Sequence, residues 1–284
     1  MNEKLICLFG ARSMVGAHLI PMLRSRGYAI HGYTRKDPKT AEQFPDIIWH
    51  QIMPSDDFAR SPLCISMMPI WELPGYFRQM KEAGIKRLIV FSSTSIFAKA
   101  ESSDPAERQL AARLARAEDK IAEWAERYKV QWTILRPTMI YDEGKDKNIS
   151  AVASFIRKYG FFPIVGRGSG LRSPVYAGDL ADAVIKLLEM ERSWINYYNL
   201  SGGENLSYND MVKRIFAALG EEPMILHLPQ SLLTYAIKAA RILPQFRTLT
   251  PGLAGRMQIN QVFSHDDAVS DFGYNPRAFH PQFR

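Results

Sequence analysis

Apolar residues fall along this chain in short unbroken runs, separated by stretches where they return at helical spacing. The first run, residues 5–9, is uniformly apolar, as a strand covered on both faces of a parallel sheet must be. It ends at Gly10, where the missing Cβ permits a sharp turn. From Val15 onward, Val15, Leu19, Ile20, Met22 and Leu23 follow a helical period. Further strands are predicted over 28–34, 46–51, 63–67, 86–92 and 130–135. Helices are predicted over 71–83, stopped by Gly84, and over 105–128, opened by Asp104 as N-cap with Pro105 in the first helical position. Beyond residue 145 the segments shorten and the loops lengthen, with a glycine-rich turn over 166–170, helices over 178–190 and 207–219, and a strand over 197–200 that returns to the main sheet.

This alternation predicts an α/β fold with a doubly wound parallel sheet. Residues 1–145 form its core, and 146–284 a smaller C-terminal lobe from which segments around 173–200 rejoin the core. The lobe is expected to close over the carboxyl ends of the strands, where ligands of such sheets bind.

Composition narrows the picture without changing it. A hydrophobic fraction of 46% and a charged fraction of 23% over 284 residues are those of an ordinary globular protein. Cys7 and Cys64 lie inside apolar runs and read as core residues. Six dispersed histidines show no metal-ligand spacing, so no metal is expected. No leader opens the chain and no apolar run reaches the ~18 residues of a membrane span, so a cytoplasmic protein is expected. The apolar stretch 232–243, with Lys238 and Arg241, reads as a packed helix rather than a membrane-surface one. The net charge of +7 suits anionic small molecules, and no basic cluster interleaved with aromatics points to nucleic acid.

The chemistry concentrates in Gly10-Ala11-Arg12-Ser13-Met14-Val15-Gly16. A helix starting here directs unpaired N–H groups and its positive end at the turn, which is a site for a pyrophosphate. Gly16 allows helix and strand to pack closely. Arg35 and Lys36 end the second strand before the first acid, Asp37. An arginine there suits the 2′-phosphate of NADP, whereas an acid suits the ribose of NAD, and Arg12 offers a second phosphate contact. NADP is therefore expected in preference to NAD.

Several stretches, in order, resemble the NAD(P)-dependent epimerase/dehydratase branch of the extended and atypical short-chain dehydrogenase/reductase superfamily, which handles nucleotide sugars on a Rossmann core. They are the glycine turn, the strand and serine loop ending Phe91-Ser92-Ser93-Thr94-Ser95, the segment Thr133-Ile134-Leu135-Arg136-Pro137-Thr138-Met139-Ile140-Tyr141, and the segment from Arg172 through Tyr176 to Asp179. The resemblance implies that the Ser93 hydroxyl meets the reacting substrate oxygen. Thr94 and Ser95 stand where sugar dehydratases carry acids, which argues against a 4,6-dehydratase, since no proton donor for water loss is present there. It further implies that Ser66, Met67 and Met68 line the adenine ribose, that Ser92, Pro137 and Met139 lie around the nicotinamide, and that Arg172 and Tyr176 contact substrate, Arg172 at its pyrophosphate. A two-fold dimer through the long helix is also implied.

The chain departs from this family at the proton-transfer unit, a tyrosine four residues before a lysine on the long helix. No tyrosine occurs between Phe97 and Tyr128. The nearest match puts Arg116 and Lys120 in the two slots, and arginine is no acid or base near neutrality. The leading expectation is an NAD(P)-dependent epimerase or reductase acting on a nucleotide-linked sugar, with Lys120 or Tyr141 moving the proton. The alternatives are an NADP-binding sensor without turnover and a non-catalytic partner protein.

Overall fold

A computed structural model describes residues 4–35, 44, 47–52, 57–190, 197–229, 231–232 and 255–283. The opening run forms β1 (Lys4–Phe9), followed by α1 (Met14–Ser25) and β2 (Tyr28–Thr34). After β3 (Ile48–Gln51) the chain recrosses to β4 (Leu63–Ser66) on the other side of β1. Then come α2 (Phe77–Glu82), β5 (Arg87–Phe91), the short α3 (Ser95–Ala98), the long α4 (Pro105–Arg127) and β6 (Gln131–Pro137). Asp104 caps α4 by accepting from the Ala106 N–H at 2.9 Å, as its position before Pro105 predicts. The region 71–83 is not one α-helix. It starts as a 3-10 helix (Ile70–Tyr76), because Pro74 lacks the N–H that an α-helical turn needs, and becomes α-helical at Phe77.

The main sheet runs β3-β2-β1-β4-β5-β6 and is completed beyond β6 by β11 (Tyr197–Leu200), every pair parallel. Because successive strands run outward from β1 in both directions, the chain reverses beside β1, and the crevice opens at the Gly10 turn. One face of the sheet is covered by α1 and α6 (Ala177–Glu189), the other by α2 and α4. Cys7 and Cys64 sit opposite each other in register, both free and fully buried, and burial pushes the Cys7 thiol up to about 11.

The remaining elements are β7 (Ile140–Tyr141), α5 (Ile149–Tyr159), β8 (Phe162–Val165), β9 (Leu171–Arg172), β10 (Val175–Tyr176), β12 (Leu206–Ser207), α7 (Tyr208–Leu219), β13 (Ile225–Leu228) and α8 (Asp266–Phe272). A separate apolar core built on Ile156, Ile164, Ile215, Phe216 and Phe279 holds α5, β8 and α7 together. Ser207 caps α7 and Asp146 accepts the first three N–H groups of the α5 turn. The C-terminal segment is stitched back by Tyr274 to the Ser201 carbonyl, Arg277 to Asp179, and the Phe279 N–H to Glu204. Lys36, Lys238 and Arg241 lie outside the described residues. Among those described, no helix is long and apolar enough to cross a membrane.

Candidate functional site

The glycine turn is built as the sequence predicts. Gly10 has φ +69°, and a Cβ there would lie 2.8 Å from the Met67 carbonyl carbon. A Cβ on Gly16 would lie 2.2 Å from the Ala11 oxygen. Both positions therefore let backbone meet backbone with no room for a side chain. Ser13 caps α1 by accepting from the Gly16 N–H at 3.1 Å, and its hydroxyl lies 3.5 Å from the Met67 sulfur. Met14 and Val15 turn their side chains into the core, so what they offer a ligand is first-turn N–H groups that have no helical acceptor. No acid sits in the first turn of α1 to neutralise its positive end. Arg12 is exposed at the tip of the turn. This cradle fits a pyrophosphate.

Beside it, the end of β4 carries Ser66, fully buried, whose hydroxyl has no hydrogen-bond partner. The Met67 N–H bonds the Phe9 carbonyl and Met68 is buried. Arg35 leaves the end of β2 with its side chain 61% exposed and pairs with Glu72 at 2.9 Å. Glu72 belongs to the 3-10 helix, and nothing local in the sequence joins it to Arg35.

At the end of β5, Ser93 is half-buried and its Oγ accepts from the Ser95 N–H at 3.1 Å. Thr94 is buried, and both its N–H and its hydroxyl donate to the Pro137 carbonyl. Its hydroxyl thereby ties the serine loop to the end of β6. Ser95 stays partly exposed at the start of α3. The Met139 carbonyl accepts from Val175, so β10 holds this loop against the sheet. The Ser92 hydroxyl is spent differently from the expectation. It donates to Glu118, whose carboxylate is 2% exposed and forks onto Arg136. Arg136 in turn lies 4.1 Å from the Tyr197 ring centre and 5.1 Å from that of Phe97.

Glu118 identifies the face of α4 that meets the sheet. Four and eight residues back on that face stand Leu114, buried, and Leu110, partly buried. A tyrosine–lysine pair spaced i, i+4 must lie on this face to reach the end of β5, and the residues in line there are Leu110, Leu114, Glu118 and Ala122, with neither a tyrosine nor a lysine among them. Arg116 and Lys120 are exposed. Lys120 sits about 200° around the helix from Glu118, so the structure does not bring it to Ser93. Tyr141 is 3% exposed, packed at 5.0 Å edge-on to Phe279, and burial pushes its phenol up to about 12. A proton carrier near neutrality needs the opposite shift.

The two substrate-lobe expectations part company. Arg172 is buried, and its guanidinium donates to the carbonyls of Leu171, Ile259 and Arg256. It ties the segment around residue 259 to β9 rather than facing a ligand. Arg172→Ala is expected to lower the unfolding free energy by about 2–3 kcal/mol, because three carbonyls lose a charged donor. Urea denaturation checks this, and an unchanged midpoint would mean that the fork is dispensable to the fold. Tyr176 is half-buried between His18, at 5.2 Å, and the Arg277 guanidinium, at 4.2 Å. His18 on α1 also meets the buried Asp142 at 3.0 Å, a contact across 124 residues that no local pattern announces.

A family model described as NAD(P)H-binding matches residues 75–161. The Arabidopsis thaliana mitochondrial NADH dehydrogenase [ubiquinone] 1 alpha subcomplex subunit 9 is 32% identical over 99 residues, 34% of this chain and 24% of that one. An Escherichia coli O157:H7 N-acetyl-alpha-D-glucosaminyl-diphospho-ditrans,octacis-undecaprenol 4-epimerase is 25% identical over 162 residues, 54% of this chain and 48% of its own. The chain thus spans half or less of the length of these curated relatives. Among solved structures, Bacillus cereus UDP-glucuronic acid 4-epimerase, in complex with UDP-glucuronic acid and NAD, superposes with a TM-score of 0.73 at 14% identity, covering 97% of this chain and 95% of that one. At that identity the likeness is one of fold. With a glycine-turn cradle at the switch point of its parallel sheet, a segment that matches an NAD(P)H-binding family model and epimerases among the proteins it resembles, this chain has the doubly wound fold of the nucleotide-sugar epimerase on which it superposes.

Proposed function

We propose that the protein binds NADP in preference to NAD and holds it in an epimerase-type cleft without a side chain able to carry the substrate's proton. It then serves as an NADP-binding sensor or a non-catalytic partner protein. The observation that carries this reading is the sheet-facing side of α4, where Leu110 and Leu114 stand in line with Glu118. Epimerisation through a ketone needs a group that takes the hydroxyl proton as hydride leaves, and such a group contributes about 10²–10⁴-fold in rate. Glu118 is committed to Arg136 and Ser92, and Glu107, further along the helix, to Ser102 and Arg256. That one relative is named as a subunit of an NADH dehydrogenase suits a partner role.

The second reading is an epimerase or reductase of a nucleotide-linked sugar. It is favoured by Ser93, half-buried at the end of β5 with a hydroxyl free to donate, and by the sugar-processing epimerases among the relatives. Water would then have to supply the proton.

One experiment separates the two. NADPH is titrated into the purified protein by fluorescence, and protein loaded with NADP+, the oxidised form that can accept a hydride from the sugar, is incubated with UDP-glucose and UDP-N-acetylglucosamine while the sugars are followed by NMR. Saturable NADPH binding with no change in either sugar is expected. Sugar interconversion that disappears in Ser93→Ala would overturn the sensor reading in favour of the enzyme, and absence of nucleotide binding would overturn both.

A further inference from the structure

We propose that Glu72 sets the choice between NADP and NAD, by holding Arg35 in an ion pair that an incoming 2′-phosphate must break. The inference rests on the cofactor reading above.

Arg35 follows the last residue of β2, and the 3-10 helix carrying Glu72 follows β4. These strands flank β1, so the two side chains reach towards each other across the edge where the Gly10 turn receives the pyrophosphate. Their charged atoms meet at 2.9 Å. The two partners are held unequally. Glu72 lies between Ile70 and Leu73, which are 2% and 0% exposed, and its N–H bonds the Pro69 carbonyl at 2.9 Å. Its side chain is 28% exposed, against 61% for Arg35. The carboxylate is therefore placed by the scaffold, and the guanidinium comes to it.

Below the pair lies Tyr76, its ring 6.3 Å from that of Phe9 and 5.9 Å from that of Phe58. Burial and the Glu72 charge raise its phenol, and Arg35 counters them, so the hydroxyl lies within reach of both charges. The result is an apolar floor with one anion and one cation above it.

Each cofactor meets this arrangement differently. The ribose hydroxyls of NAD can donate to a carboxylate, so Glu72 performs from the β4 side what an acid at the end of β2 performs in NAD-binding sheets. Arg35 need not move. A 2′-phosphate draws Arg35 into a forked contact, but it must take the guanidinium from Glu72 and then stand beside an uncompensated carboxylate. Glu72 thus restrains the NADP preference that Arg35 confers.

The test uses the full chain and two probes that differ only in the 2′-phosphate, adenosine 2′,5′-bisphosphate and 5′-AMP, titrated calorimetrically at low salt. Glu72→Gln is expected to tighten the bisphosphate by about threefold to fivefold, the scale of a solvent-exposed ion pair, and to leave 5′-AMP unchanged or weaker. Glu72→Ala is expected to do the same, which separates the lost charge from new amide contacts. Arg35→Ala is expected to weaken the bisphosphate by about tenfold. A bisphosphate-to-AMP affinity ratio unchanged or lowered in both Glu72 variants would overturn the inference while leaving nucleotide binding intact. Failure of the wild-type chain to bind either probe would overturn the cofactor reading and the inference with it.

Discussion

Replacing Glu118 with alanine is expected to lower the unfolding free energy by about 3–5 kcal/mol. Glu118 is 2% exposed and Arg136 15%, so the pair is screened from water and each charge depends on the other. Alanine removes the carboxylate and leaves the guanidinium between the Tyr197 and Phe97 rings, which attract a cation but do not neutralise it. It also leaves the Ser92 hydroxyl without its acceptor. Glu118→Gln keeps an acceptor oxygen for Ser92 and should lose less. The double replacement Glu118→Leu with Arg136→Met should return to within about 2 kcal/mol of wild type, because a well-packed apolar pair costs nothing to desolvate. Urea denaturation followed by circular dichroism reads all three. A single Glu118→Ala variant as stable as wild type would mean that Arg136 is solvated after all, and the assignment of the inward face of α4 would lose its anchor.

That face is where sequence and structure first read differently. The inner strands were legible because a parallel strand covered on both sides must be apolar, as β4 and β5 are over nearly their whole length. The start of α4 was legible because Asp104-Pro105 has a local mechanism. The orientation of α4 is carried by the stripe Leu110, Leu114, Ala117, Ile121 and Trp124, which faces the core. Matching the proton-transfer spacing to Arg116 and Lys120 passes over that stripe. The long-range contacts of Glu118 with Ser92 and Arg136 then fix which side chain of that face meets the end of the sheet. Arg172 misled because a guanidinium satisfied by three backbone carbonyls looks the same in sequence as one facing a phosphate. α5 could have been found. Ile149, Val152, Ala153 and Ile156 follow a helical period and are buried together. The Arg35–Glu72 and His18–Asp142 pairs join residues far apart in the chain, and no window of local pattern contains them.

The glycine turn is the part of the site that sequence and structure read alike, and it carries the other large prediction. Gly16→Ala is expected to destabilise the fold by about 3 kcal/mol or more and to abolish nucleotide binding. The new methyl would lie 2.2 Å from the Ala11 oxygen and 2.7 Å from its carbonyl carbon. Both are backbone atoms, so no side-chain rotation relieves the overlap. Ala11 and Leu19 are fully buried around this contact, and α1 cannot step back without opening the core it shares with α6. Alanine is the better helix former by about 1 kcal/mol, so a gain would be expected if propensity governed the site. Gly75→Ala supplies the control, because an added methyl there meets nothing within 4 Å, and its effect should stay within about 0.5 kcal/mol. Denaturation midpoints and NADPH titration of the two variants decide the matter. If Gly16→Ala matched Gly75→Ala in both, close approach of the helix to the turn at Ala11 would not be what shapes the pyrophosphate cradle. The N–H groups at the start of α1 would then have to reach their anion from a position that the packing of α1 on that turn does not set.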